Sequence, residues 1–147
     1  MEKIELRKFK NSDLESILSV WENASKLAHS FLSEDFFEKE RYNIPNIYIP
    51  NADTLVAEIE GHVIGFISMI GNEIGGLFVD PEFHGIGVGT ALVDKACEIH
   101  CNLIVEVFED NIIGRRFYTK YGFKIIDKKF HSESGKTMII MEYISNS

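Results

Sequence analysis

Three glycines stand at alternate positions in Phe83-His84-Gly85-Ile86-Gly87-Val88-Gly89-Thr90, between a predicted strand end and a predicted helix start. The first amides of a helix lack internal partners, and the helix dipole is positive there. Glycines let the backbone come close to a ligand, so the segment suits an anion, and a diphosphate in particular. The alternative is a glycine-rich turn that merely joins two elements. A second chemistry-bearing stretch is Asn111-Ile112-Ile113-Gly114-Arg115-Arg116-Phe117-Tyr118-Thr119-Lys120-Tyr121-Gly122-Phe123. It places an amide at a helix start and a phenol, Tyr118, one turn after the small Gly114. Spacing alone leaves Tyr118 as either a proton donor or a core aromatic.

Competing chemistries fit less well. A dinucleotide site expects G-x-G-x-x-G opening a doubly wound sheet, with an acid about 20 residues on. Glu106 lies near that distance, but the spacing here is G-x-G-x-G and the preceding strands read as hairpins. A phosphate-binding P-loop needs Gly-Lys-Ser/Thr, which does not follow. His100 and Cys101 have no second ligand pair at zinc spacing, so no metal is expected. Cys97, four residues from Cys101, reads as a small hydrophobe on the buried side of a helix.

The elements that must position these groups follow from periodicity. Residues 4–9 read as a strand. Ser12-Asp13-Leu14-Glu15 has capping-box spacing before a helix burying Leu14, Ile17, Leu18, Trp21, Ala24 and Ala28. A shorter helix is predicted from Ser33 to about Tyr42. An irregular, Asn-rich yet apolar stretch around Pro45 and Pro50 reads as a covering loop. Residues 54–60, 62–70 and 73–79 form an antiparallel meander with turns at Gly61 and Gly71-Asn72. The helix after the glycine loop presents Val88, Leu92, Ala96 and Ile99 on one face. Residues 103–108 are a strand, 111–121 a helix closed by Gly122, and 123–130 with 136–143 a hairpin around Ser134-Gly135. The order is β-α-α-β-β-β-α-β-α-β-β, an α/β chain with a mixed sheet. Its one βαβ unit makes strands 73–79 and 103–108 parallel.

The 147 residues suit one domain with its own core, with 45% hydrophobic content. A formal charge of −8 disfavours nucleic acid and favours a cationic ligand. There is no apolar run of membrane-spanning length and no signal-like start, and two cysteines four apart make no secreted framework. A cytoplasmic location is expected, with no membrane partner.

The glycine segment resembles the acetyl-CoA signature Q/R-x-x-G-x-G/A of the GNAT acetyltransferase superfamily, aligned as His84-x-x-Gly87-x-Gly89. The 111–123 segment is similar to that family's N-x-x-A-x-x-F-Y-x-K-x-G-F. Ala28-His29-Ser30-Phe31-Leu32-Ser33 and Leu77-Phe78-Val79-Asp80-Pro81 resemble its small bacterial members. Both signatures stand in order, and the resemblance covers nearly all of residues 1–147 as a single domain. It departs at His84, where Gln or Arg is usual, and at Gly114, where Ala is usual. The second change weakens a helix by roughly 0.5–1 kcal/mol.

The resemblance implies acetyl transfer from acetyl-CoA to a primary amine by direct attack, with a non-catalytic acyl-CoA-binding module as the alternative. It places the cofactor against Leu77, Phe78, Val79, His84, Gly85, Ile86, Gly87, Val88, Gly89, Thr90, Asn111 and Tyr118. The strand ending at Val79 would pair with the pantetheine arm, Asn111 would bond that arm or cap its helix, and Tyr118 would protonate the thiolate. A lysine-like amine costs about 4.6 kcal/mol to neutralise at pH 7, so a base is expected. Glu73 and His29 are the candidates, an imidazole having an ordinary pKa of about 6.5. Phe31, Phe36 and Tyr42 would wall the acceptor groove. The acceptor is a small molecule or peptide amine, and the chain a monomer or homodimer.

Overall fold

The computed structural model describes residues 3–145. Strands β1 (Glu5–Lys8), β2 (Asp53–Ile59), β3 (His62–Ile70) and β4 (Glu73–Val79) lie side by side and antiparallel. Next come β5 (Asn102–Phe108), β7 (Lys136–Ile144) and β6 (Lys124–His131), so that seven strands form one sheet ordered 1-2-3-4-5-7-6. The expected element order is observed, and the sheet is mixed. Among the described residues only β4 and β5 are parallel, paired at Glu73 with Ile104 and at Ile74 with Val105.

Beyond those two pairs the strands part. Ser68 of β3 faces Gly76, but Met69 faces Ile74, which leaves Gly75 as an extra residue in β4. Such a bulge bends its strand and increases the local twist. The Gly75-Gly76 pair therefore has a structural reason: it turns the end of β4 away from β5 and opens a wedge in the sheet.

Helices cover both faces. Ile17, Val20 and Trp21 of α1 (Leu14–Ala28) pack on Val56 and Phe66, with Phe37 of α2 (Glu34–Asn43) alongside. On the opposite face, Leu92, Val93 and Ala96 of α3 (Val88–Cys97) and Tyr118 of α4 (Ile112–Tyr121) join Ile67, Val105 and Ile139 in the larger core. Gly65 lets α3 begin close to the sheet, since a Cβ there would sit 3.1 Å from both the Phe78 carbonyl oxygen and Val88 Cγ1.

Three expectations are corrected. The Ser12–Glu15 capping box is not used at the start of α1. Instead Asp13 accepts from the Lys10 amide at 2.8 Å and from both terminal nitrogens of Arg7 at 2.8 Å. The Arg7 guanidinium, also bonded to Glu58, holds the Asp13 carboxyl below its ordinary value. The stretch read as an irregular loop is helical: a π turn over Ile44–Tyr48, then a 3-10 turn over Ile49–Asn51. Pro45 and Pro50 sit in the first turn of each, where a missing amide costs little. The asparagines that look like loop residues bond backward, Asn46 Nδ2 to the Tyr42 carbonyl at 2.8 Å and Asn51 Nδ2 to that of Ile47 at 2.6 Å. Ile99 lies past the end of α3 and is exposed rather than on its buried face.

Candidate active site

The wedge between β4 and β5 opens into a cavity of about 940 Å³ that reaches both faces of the sheet. On the α3 side it is bordered by His84, Gly85 and residues 87–90. Gly85 and Gly87 have φ of 83° and 93°, a left-handed backbone that a side chain would strain, and the space where their Cβ atoms would stand is empty. No side chain of the described residues caps α3, so the amides of its first turn are left open to a ligand. This arrangement suits an anion, and the diphosphate of a coenzyme A molecule meets that requirement. Gly89 has a different reason: its missing Cβ makes room for the Phe117 ring, 3.0 Å away. Ile86 is exposed and stands outside the cavity lining. His84 turns back and donates from Nε2 to the Val79 carbonyl at 2.9 Å, tying the loop to the end of β4.

Leu77, Phe78 and Val79 border the parted edge of β4, and Asn111, Gly114 and Tyr118 face them across the wedge. Tyr118 is buried, stacked edge-on with Phe117 and Phe123, and burial pushes its phenol above the ordinary range. Its hydroxyl bonds to no other described residue and is not sealed from the cavity. Tyr118 is thus both a core aromatic and a cavity phenol. Asn111 caps α4, accepting from the Gly114 amide at 2.8 Å. Its Nδ2 lies 3.1 Å from His29 Nε2.

The other side of the wedge is aromatic and acidic. His29 sits among the rings of Phe31, Phe78 and Phe108, and desolvation brings its pKa down to about 4. Glu73 borders the cavity at the point where β4 and β5 still pair, and burial, with Glu106 nearby, raises its carboxyl. Glu106 is held by Lys129 at 2.8 Å. Phe36 lines the cavity, whereas Phe31 only backs His29. Tyr42 is 65% exposed and lies outside the lining. Tyr48 stands there instead, swung in by the π turn, with its hydroxyl 3.1 Å from Glu40. Burial raises the Glu40 carboxyl, and it has no ion-pair partner among the described residues. His131, oriented by Ser134 at 2.7 Å, closes this end. Glu40, Tyr48 and His131 escaped sequence reasoning because no motif marks them; only the tertiary fold brings them together. No cluster of three metal-ligating side chains occurs among the described residues.

Residues 50–125 match the family profile described as an Acetyltransferase (GNAT) domain. The chain is 30% identical over 134 residues to the peptidyl-lysine N-acetyltransferase YjaB of Escherichia coli, covering 90% of each protein. It is 28% identical over 139 residues to the peptidyl-lysine N-acetyltransferase YiaC of the same organism, covering 94% of this chain and 95% of YiaC. The apo-form solution structure of Escherichia coli YjaB superposes with a TM-score of 0.88 at 26% identity, over 97% of this chain and 99% of the other. The PaiA N-acetyltransferase from Thermoplasma acidophilum, solved in complex with coenzyme A, gives 0.78 at 26% identity over 97% and 99%. These likenesses and the wedge define the class as an acyl-CoA N-acyltransferase fold. The chain belongs to the GNAT acetyltransferase family. It is an acetyl-CoA-dependent N-acetyltransferase, with acetyl-CoA as its co-substrate. Among the described residues no helix is long and apolar enough to cross a membrane.

Proposed function

We propose that the acceptor is the side-chain amine of a lysine in a peptide or protein, attacked directly on the thioester without an acyl-enzyme. The observation that carries this reading is the charge of the acceptor side: Glu40, Glu73 and Glu106 border it, and Glu40 has no cation of its own among the described residues. A cationic ammonium entering between Phe36, Phe37 and Phe78 would find carboxylates and aromatic faces. Two relatives named as peptidyl-lysine acetyltransferases point the same way.

Acetyl-CoA supplies the activated acetyl group. The open amides of residues 88–90, with Gly85 and Gly87, take the diphosphate, and the free edge at Leu77, Phe78 and Val79 takes the pantetheine arm as an added strand. Asn111 contacts that arm. Glu73, directly or through a water, removes a proton from the ammonium. The amine nitrogen then bonds to the carbonyl carbon, the carbon–sulfur bond breaks as Tyr118 gives its proton to the leaving sulfur, and the second proton that the nitrogen sheds on becoming an amide restores the Tyr118 phenol. Burial that raises the Tyr118 phenol also raises a thiol formed beside it, so the two acidities stay comparable.

The test is acetyl-CoA turnover on a lysine peptide with a blocked N-terminus, a peptide whose only amine is its N-terminus, and small mono- and diamines. The lysine peptide gives the highest kcat/KM. Turnover confined to N-terminal or small amines overturns the assignment.

A further inference from the structure

His29, Asn111 and Gly114 form a chain of hydrogen bonds whose polarity is determined from one end. A backbone N–H only donates, so the Asn111 atom 2.8 Å from the Gly114 nitrogen is Oδ1. That orientation directs the Asn111 amide nitrogen to His29 Nε2, at 3.1 Å. An amide nitrogen also only donates, so Nε2 must accept, and the ring carries its proton on Nδ1. The lone pair a general base would use is therefore already engaged. The aromatic rings packed against it are Phe31, Phe78 and Phe108, none of which titrates, and desolvation by burial keeps the imidazole neutral.

Gly114 is the condition for this arrangement. A Cβ at that position would stand 2.6 Å from Asn111 Nδ2 and 3.0 Å from its Cγ. The end of a short side chain would yield to such a clash by rotating away. Alanine, the residue of the family signature here, would thus push the amide off His29. Glycine costs helix propensity, and the hydrogen bond to His29 is what the vacated space holds.

We infer that His29 is a positioning residue rather than the base: as a neutral acceptor it fixes the Asn111 amide, and through it the pantetheine arm, in an arrangement that Gly114 permits. This rests on the proposed contact between Asn111 and that arm. It leaves the proton from the amine to Glu73.

Three single variants, one double variant and one spectrum test it. Nitrogen-15 NMR of the wild-type imidazoles at pH 7 should show His29 as the neutral Nδ1–H tautomer. Gly114→Ala, a helix-favouring change that keeps the fold, should shift the His29 signals and weaken acetyl-CoA binding by calorimetry about tenfold, with kcat changed less than about threefold. His29→Leu should do the same to binding, and His29→Gln, whose Oε1 can accept from Asn111, should restore it to within about threefold of wild type. Combining Gly114→Ala with His29→Leu should add little, since both remove one interaction. A wild-type Nε2–H or protonated His29, or acetyl-CoA affinity unchanged in Gly114→Ala, overturns the inference. So does a His29→Leu variant that loses kcat while binding acetyl-CoA normally, the mark of a base. If no lysine peptide were a substrate, the acceptor assignment would fall, while the spectrum and the acetyl-CoA affinities would still decide this point.

Discussion

The two sides of the wedge are built by different means. On the α3 and α4 side, the groups facing the cavity are largely backbone: left-handed Gly85 and Gly87, the uncapped first turn of α3, and the bent edge of β4. On the α1 and α2 side they are side chains brought from far apart in sequence, among them His29, Phe36, Glu40, Tyr48, Glu73, Phe108 and His131. A backbone cradle suits a ligand that never changes, such as the diphosphate of a co-substrate. A wall of separate side chains can be altered one residue at a time, which suits the partner that sets specificity. Substitutions in the backbone cradle of the first side should therefore change acetyl-CoA affinity, and those at Glu40 and Glu73 acceptor kinetics, while His29 reaches the cofactor side through Asn111 and Tyr118 acts on the chemical step.

On the acceptor side Glu73 should matter most. Glu73→Gln should lower kcat/KM about 10²-fold at neutral pH. Because burial and Glu106 raise this carboxyl, wild-type activity should climb as pH rises through a value above the ordinary 4.5. That limb should vanish in the variant; an unchanged pH profile would remove Glu73 from the chemistry. On the cofactor side, Gly87→Val forces a branched residue to a φ of 93°. A left-handed backbone costs about 1–2 kcal/mol in such a residue, so acetyl-CoA affinity should fall about tenfold with the acceptor KM unchanged. An equal loss in both constants would blur the division between the two sides. Glu40→Gln should raise the KM for a lysine peptide only about two- to fivefold and leave kcat alone, as expected for a charge still reached by water.

The remaining effect concerns stability. A His29 pKa of about 4 in the folded chain lies below its value near 6.5 when unfolded, so between those values the unfolded chain binds the extra proton. Stability must fall as pH drops from about 6.5 toward about 4. Comparing melting temperatures of wild type and His29→Leu across that window isolates the contribution, because Glu40 and Glu73, whose raised carboxyls act in the opposite sense, are common to both. A parallel pH dependence in the two proteins would mean that His29 is not held neutral.

The same contrast explains what could be read from the sequence. The alternating glycines, the segment from Asn111 to Phe123 and the strand periodicities report local backbone geometry, and from them the mixed sheet and its parallel pair were legible. Tyr48 was not, since its place depends on a π turn stabilised by backward-bonding asparagines within a stretch that reads as loop. Tyr42 was expected in the groove because aromatic composition does not say which way a helix faces. The roles of His29 and Gly114 were hidden for another reason: each is explained only by Asn111, which is remote from His29 in the chain.

In the proposed reaction a diphosphate held by open amides brings an acetyl thioester to the phenol of Tyr118. Tyr118→Phe removes one oxygen from a ring that is otherwise packed by Phe117 and Phe123. Turnover with a lysine peptide, measured beside calorimetric acetyl-CoA affinity, should show kcat reduced about 10²-fold and affinity within about twofold of wild type. A variant that turns over at the wild-type rate would contradict the account.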